Sequence, residues 1–295
     1  MNTSQRFDSR IAPWVLLGPF IALFAMFTAW PLLRAVLLAF EQTFGPGTTR
    51  YVGLLNFQKV LADPLFWTAM RNTTIYTAGS LFIQLPLALG LAMLLNRDGL
   101  RGRGVLRAIF FAPALVGVVC VAMMFGVIFE KRTGLANQFL HRSIGWDLDF
   151  PWLQTYVMPA LIIASLWQFV GFNMVYFLAA LQNVPKDLIE AATIDGAGAT
   201  GRFRHVTIPS IRPVASFVVL LSLIGSFQLF ELPWVMLNTT AGPNNEGLTV
   251  VMYLYQTGFQ TGDLGYASAI AWLLAAVLVL ITVFMRLAGG KEETR

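Results

Sequence analysis

Six stretches without a charged residue, each long enough to cross a lipid bilayer, decide what this chain can fold into. They are Ile11–Leu33, Asn72–Asn96, Ala108–Phe129, Phe150–Pro185, Pro213–Phe230 and Leu264–Met285. A hydrocarbon core about 30 Å thick needs about 20 apolar residues in a helix, and lipid offers no partner to an unpaired backbone group. Only 12% of the residues are charged, against about 25% in a soluble domain. The expected fold class is therefore an all-α integral membrane protein with six transmembrane helices. The first stretch exceeds the roughly 7–15 apolar residues of a secretory signal, so it is read as an uncleaved span. The Phe150–Pro185 stretch is too long for one helix and too short for two. Asp149, Pro151 and Pro159 mark its first part as an approach segment.

An even number of spans puts both termini on one side. The N-tail, the second and fourth loops and the C-tail hold Arg6, Arg10, Arg97, Arg101, Arg103, Arg107, Lys186, Arg202, Arg204, Arg212, Arg286, Lys291 and Arg295. The opposite loops hold Arg50, Lys59, Arg71, Lys131, Arg132 and Arg142, and Arg34 sits where it can snorkel from the end of the first helix. The positive-inside rule then makes both termini cytoplasmic. The expected organisation is a cytoplasmic N-tail (1–10), a transmembrane domain (11–287) with a cytoplasmic loop (183–213), and a cytoplasmic C-tail (288–295). The net charge of +5 is accounted for by this topology and gives no reason to invoke nucleic acid. The segment 41–71 has room for a short amphipathic helix.

The loop 183–213 is unusual for a connector. Pro185 suits the first turn of a helix, which can run on through Leu188, Ile189, Ala191 and Ala192. Ala192 and Gly196, four apart, leave one face nearly bare, with Glu190 and Asp195 at its edge. Gly196 and Gly198 let the chain reverse. Thr200 is placed to cap a second helix through Phe203 and Val206, with Pro209 to stop it and Pro213 to start the next span. A solvated basic connector is the plain alternative.

The residue order is more specific than that alternative requires. Glu190-Ala191-Ala192, Asp195-Gly196-Ala197, then Phe203, Val206, Ile208 and Pro209 resemble the EAA loop of binding-protein-dependent ABC importer permeases. Val206 and Ile208 stand where that family usually has Ile and Leu. Weaker matches fall in the same order: Gly53 to Phe57, Asp63-Pro64, Asn72-Thr73, Arg107 with Pro113, Gly134 with Asn137 and Leu140, Gly242-Pro243, Tyr253 to Tyr255, and Gly265 to Ala269. Together they resemble the carbohydrate branch, near the maltose-type first permease subunit, without that subunit's extra N-terminal helices and large outer insertion.

The resemblance implies the type I importer permease fold and a bacterial or archaeal cytoplasmic membrane. It implies a role for Glu190, Ala191, Ala192, Asp195, Gly196, Ala197 and Phe203 in coupling to an ATPase. The implied partners are a second homologous permease, two ATPase subunits (possibly a homodimer), an extracytoplasmic solute-binding protein, a sugar and membrane lipid. ATP and Mg²⁺ are expected on the ATPase subunits, with no cofactor on this chain.

Catalytic signatures are missing. Cys120 is the single cysteine, so no intramolecular disulfide can form, and His141 and His205 fall in no metal-ligand spacing. No phosphate-binding loop, zinc-protease helix or nucleophile elbow is present. Transport, rather than enzymatic catalysis, is the expected function.

Polar residues inside the spans are the candidate solute path. Gln168, Phe172, Asn173 and Tyr176 share a helical arc mixing amides with aromatic rings, which suits sugars. Helix–helix hydrogen bonding accounts for the amides equally well. Gly225, Gln228 and Glu231 fall on one side of the fifth span, with Ser222 and Ser226 on another for close packing. Glu231 fits three roles: binding solute hydroxyls, pairing with a partner's cation, or lying near the outer surface, with Pro233 breaking the helix beside it. An alternative function, an ion-coupled secondary carrier, would rest on Glu231, yet no internal repeat accompanies it.

Overall fold

The computed structural model of the chain describes residues 12–43, 49–97 and 99–289. The N-tail 1–10 and most of the C-tail 288–295 lie outside them. Among the described residues five helices are long and apolar enough to cross a membrane: α1 (Trp14–Ala39), α3 (Pro64–Leu95), α7 (Val157–Gln182), α9 (Ala199–Phe227) and α12 (Leu264–Gly289). A broken pair, α4 (Arg103–Leu115) and α5 (Val118–Ile128), bent by 94°, is apolar and long enough to be a sixth candidate span. Between these lie α2 (Leu55–Ala62), α6 (Leu135–Ile144), α8 (Lys186–Ile194), α10 (Glu231–Met236) and α11 (Val250–Tyr255). A three-residue antiparallel ladder, β1 (Glu41–Thr43) with β2 (Thr49–Tyr51), is the only sheet among the described residues.

Three of the spans pass through a proline by the same device. A proline inside a helix lacks its donor, and its ring crowds the carbonyl four residues earlier. Ahead of Pro31, Pro86 and Pro209 the helix widens into a π turn, at Ala25–Ala29, Ser80–Gln84 and Phe203–Thr207. The residue just before each proline bonds five residues back: Trp30 N–H to Ala25 O, Leu85 N–H to Ser80 O, and Ile208 N–H to Phe203 O. The widening relieves the clash and keeps the helix continuous. This corrects three sequence expectations. Pro209 does not stop a helix and Pro213 does not start one, because α9 runs unbroken from Ala199 through both, and Thr200 lies inside it with no side-chain cap.

The third charge-free stretch is likewise not one straight helix. Pro113 sits in a 3₁₀ turn (Ala112–Leu115), and Val116 and Gly117 are non-helical, with Val116 extended. The fourth stretch behaves as expected: residues 151–156 form turns, and α7 begins at Val157.

The chain divides into two compact units, Met1–Asp63 with Leu254–Val279 and Pro64–Tyr253 with Leu280–Arg295. In the first, α1 buries no residue before Ala39. Asn56 donates to the carbonyls of Ala39 and Glu41 (3.1 and 2.9 Å) and so ties α2 to the hairpin. Thr43 donates to Asp263 and accepts from the Gly265 N–H. A Cβ at Gly265 would lie 1.8 Å from the Glu41 carbonyl oxygen. Tyr266 O–H donates to Asp63 at 2.7 Å.

The second unit is built around α7, which buries 14 of its residues. One apolar cluster joins α7 to α5 and α10 through Val121, Phe125, Leu161 and Leu232. Another joins it to α3 and α9 through Leu85, Ala88, Met174, Leu178 and Ile211. Gly171 lets α4 touch α7 backbone to backbone, since a Cβ there would stand 1.7 Å from the Phe110 carbonyl oxygen. Side chains fasten the loops. Asn72 donates to the carbonyls of Asn245 and Leu248 (2.8 and 3.0 Å), and Thr73 accepts from the Val250 N–H. Asn137 donates to Lys131 and Phe150 and accepts from the Trp152 indole. At the end of α5, Glu130 accepts from the Thr133 N–H and hydroxyl and from the Arg132 N–H, which hold its carboxyl below the usual carboxylate range.

Gly171→Ala is expected to force α4 off α7 and cost about 1–3 kcal/mol, in the range of an overpacked core. Gly90→Ala, in α3 with open space around the new Cβ, is expected to be neutral or mildly stabilising. Thermal unfolding in detergent, comparing the two variants, checks both.

Candidate functional site

Two features stand apart from general packing. The first is a cavity of about 510 Å³ in the second unit, walled by α3, α7, the end of α9 and the start of α10. Helix α3 contributes Tyr76, Ser80 and Gln84, each four residues after the last and so stacked on one face. Gln84 closes the π turn that precedes Pro86, and Gln84 is buried. Its amide oxygen has no hydrogen-bond partner among the described residues.

Helix α7 contributes Phe169, Phe172 and Asn173. Of the path residues expected from sequence, Phe172, Asn173, Gln228 and Glu231 border this cavity, and Gln168 and Tyr176 do not. Gln168 is buried and donates to the Val116 carbonyl at 3.1 Å. It thereby satisfies a backbone group freed by the break between α4 and α5, which lipid could not do. Tyr176 packs edge-on against Phe172 and Phe217, at 5.2 and 6.3 Å between ring centroids.

The last wall depends on a second break. Helix α9 ends at Phe227, and a separate helix begins at exposed Glu231. Thr249 donates to the Leu229 carbonyl at 2.6 Å, inside the break. The sequence points to Pro233 as the cause of the interruption, but it lies in the first turn of α10, where a missing N–H costs nothing. Ser222 and Ser226 line the cavity with Gly225 rather than facing away from it, and the Ser226 hydroxyl donates back to the Ser222 carbonyl. Tyr76, Ser80 and Gln84 are absent from the path expected from sequence. Their spacing of four in an otherwise apolar stretch is the signal that could have found them.

The second feature is α8 and the turn after it. Pro185 stands one position before the helix, not in its first turn. No residue of α8 is buried, yet Val184 before it and Ile211 beyond it are both core residues. The short helix therefore projects from a firmly anchored frame. It stops in a Schellman motif: the Gly196 N–H bonds to Thr193 O (3.1 Å) and the Ala197 N–H to Ala192 O (2.9 Å). Gly196 has φ +79°, which a side chain with a Cβ resists. Arg202 donates to Thr193 Oγ1 at 3.1 Å and braces α9 against α8. Glu190, Ala191, Asp195 and Gly196 are exposed, and Ala192, Ala197 and Phe203 are half-buried. Ile194 is 86% exposed and Leu188 51%, so the projecting tip is apolar with an acidic edge.

Comparison with known proteins places this architecture in context. The family model described as a binding-protein-dependent transport system inner membrane component matches residues 66–290. The arabinooligosaccharides transport system permease protein of Halalkalibacterium halodurans is 37% identical over 94% of this chain and 87% of its own length. The lactose transport system permease of Rhizobium radiobacter is 33% identical, covering 95% and 94%. The sn-glycerol-3-phosphate transport system permease of Brucella abortus is 31% identical, covering 94% of each. Among solved structures, a chain of a bacterial ABC transporter involved in importing the acidic polysaccharide alginate superposes with a TM-score of 0.83 at 24% identity, covering 97% of this chain and 98% of the other. That likeness establishes the type I importer permease fold.

Gln168→Leu is expected to leave the Val116 carbonyl unpaired at a cost of about 1–3 kcal/mol. Gly196→Ala is expected to cost about 1–2 kcal/mol locally. Melting in detergent reads the first, and faster hydrogen exchange confined to residues 192–197 reads the second.

Proposed function

The chain belongs to the family of binding-protein-dependent transport system inner membrane components, and on that premise we propose that it forms half of the membrane pathway of an ATP-driven sugar importer. The observation that carries the proposal is the projecting helix Lys186–Ile194 with its glycine stop and exposed apolar tip. In this reading residues 183–213 and both termini face the cytoplasm of a bacterial inner membrane. A second, similar permease completes the pathway, and an outer solute-binding protein delivers the sugar. Two ATPase subunits carry ATP and Mg²⁺. Sugar is favoured as the solute by the arabinooligosaccharide and lactose permeases among the relatives, and by a cavity that sets amides beside aromatic rings.

Energy enters through the tip. Ile194 and Leu188 fill an apolar groove on the ATPase, and Glu190 and Asp195 meet its cations. The anchoring of both flanks to the core lets a push on α8 move α7 and α9 as a body. ATP biases the equilibrium only to the extent that it binds one state better than the other. The ion-coupled carrier built on Glu231 is not favoured, because the relatives matching nearly the whole chain are permeases of transport systems.

Glu190→Ala and Gly196→Asp are expected to lower ATP-driven uptake at least tenfold while the protein stays in the membrane and ATP is still hydrolysed. Uptake and ATPase activity measured side by side in proteoliposomes check this, and normal uptake in both variants refutes docking through α8. Asn173→Ala, at the cavity wall, is expected to reduce uptake of some sugars more than others.

A further inference from the structure

The cavity in the second unit has an uneven chemistry. Among the described residues that line it, Glu231 carries the only formal charge, and none is Lys, Arg or His. The Glu231 carboxylate only accepts hydrogen bonds when ionised. Gln84 adds a buried amide oxygen with no partner among the described residues, a group that gains when a donor reaches it. Asn173 and Gln228 contribute amides able to donate or accept, and Phe169 and Phe172 supply apolar faces. Nothing among these lining residues balances a negative charge.

We propose that Glu231 acts as a charge filter, so that the cavity takes uncharged, hydroxyl-donating sugars and rejects phosphorylated or uronic-acid solutes. The inference rests on the reading of the chain as a sugar permease and narrows it to one class of sugar. A solute anion about 6 Å from the Glu231 carboxylate, at an effective dielectric near 20, meets repulsion that weakens binding on the order of a hundredfold. A neutral sugar meets none, and its hydroxyls donate to Glu231 and Gln84. The filter would separate this chain from relatives whose names carry an anionic solute, such as the sn-glycerol-3-phosphate permease.

The test uses the assembled importer in nanodiscs without its solute-binding protein, so that delivery does not mask the cavity's own preference. Equilibrium binding is measured for two probes of equal length, arabinotriose and trigalacturonate. Arabinotriose is expected to bind at least tenfold tighter, and the gap should narrow as salt is raised, since screening weakens a charge effect but not a steric one. Glu231→Gln is expected to raise the ratio of trigalacturonate to arabinotriose binding at least tenfold, and Glu231→Lys to raise it further. Gln84→Leu is expected to weaken arabinotriose at least fivefold. Equal binding of the two probes by the unaltered complex, no binding of either, or a ratio unmoved by both Glu231 variants overturns the filter. ATP-driven uptake is read separately with the binding protein restored. Uptake that still depends on Glu190 alongside an unmoved ratio overturns the filter alone, and uptake that never depends on ATP overturns the transport reading beneath it.

Discussion

In hydrocarbon a backbone N–H or C=O has no water to bond, so every departure from a regular helix must be repaired from within the protein. The rest of the structure follows from how that is done. Before Pro31, Pro86 and Pro209 a π turn takes up the strain that proline places on a span. Where the chain does leave the helix, a side chain arrives to complete the bonding. Gln168 reaches the Val116 carbonyl at the bend between α4 and α5, and Thr249 reaches the Leu229 carbonyl between α9 and α10. Val118, just after the first break, and Leu229, inside the second, both belong to the apolar cluster around α7. One of the π turns carries Gln84 into the cavity wall, so the repair of a helix and the making of a site are the same local event.

The projecting helix α8 solves a different problem. The proposed role as a lever needs a rigid tip and fixed flanks. The Schellman stop at Gly196 makes the tip rigid with two backbone hydrogen bonds, and Arg202 braces it to the following helix. Val184 and Ile211 fix the flanks in the core. The exposed Ile194 and Leu188 are out of place on a free surface near water and natural on a surface that meets another protein. Composition and geometry thus single out the segment to which the proposed function assigns coupling.

Much of this could be read from sequence because the constraints were local. Charge-free stretches fix the spans, since only a helix satisfies its own backbone there. Asp195-Gly196 announces a helix stop, since glycine alone adopts φ +79° easily. Asn72, Asn137 and Gly265 stand out in the sequence as family-like positions, and each has a physical reason in the structure. The two asparagines fasten loops, and the glycine permits a close backbone approach. What stayed hidden was non-local or depended on a shift in helix register. Proline alone does not reveal whether a helix will end or widen, so Pro209 reads as a stop and is not one. The partner of Gln168 is 52 residues away, and no periodicity points to it. The serines of α9 read as packing residues because the wall supplied by Tyr76, Ser80 and Gln84 comes from another helix.

The central claim is that the tip of α8 lies on the inner side of the membrane beneath an ATPase. Replacing Cys120, the single native cysteine, with serine and placing a cysteine at Ile194 permits a direct reading with a membrane-impermeant thiol reagent. The expected result is labelling in inside-out vesicles, none in right-side-out vesicles, and protection when the ATPase subunits are bound. Labelling from the outer side, or equal labelling with and without the ATPase, would contradict the account.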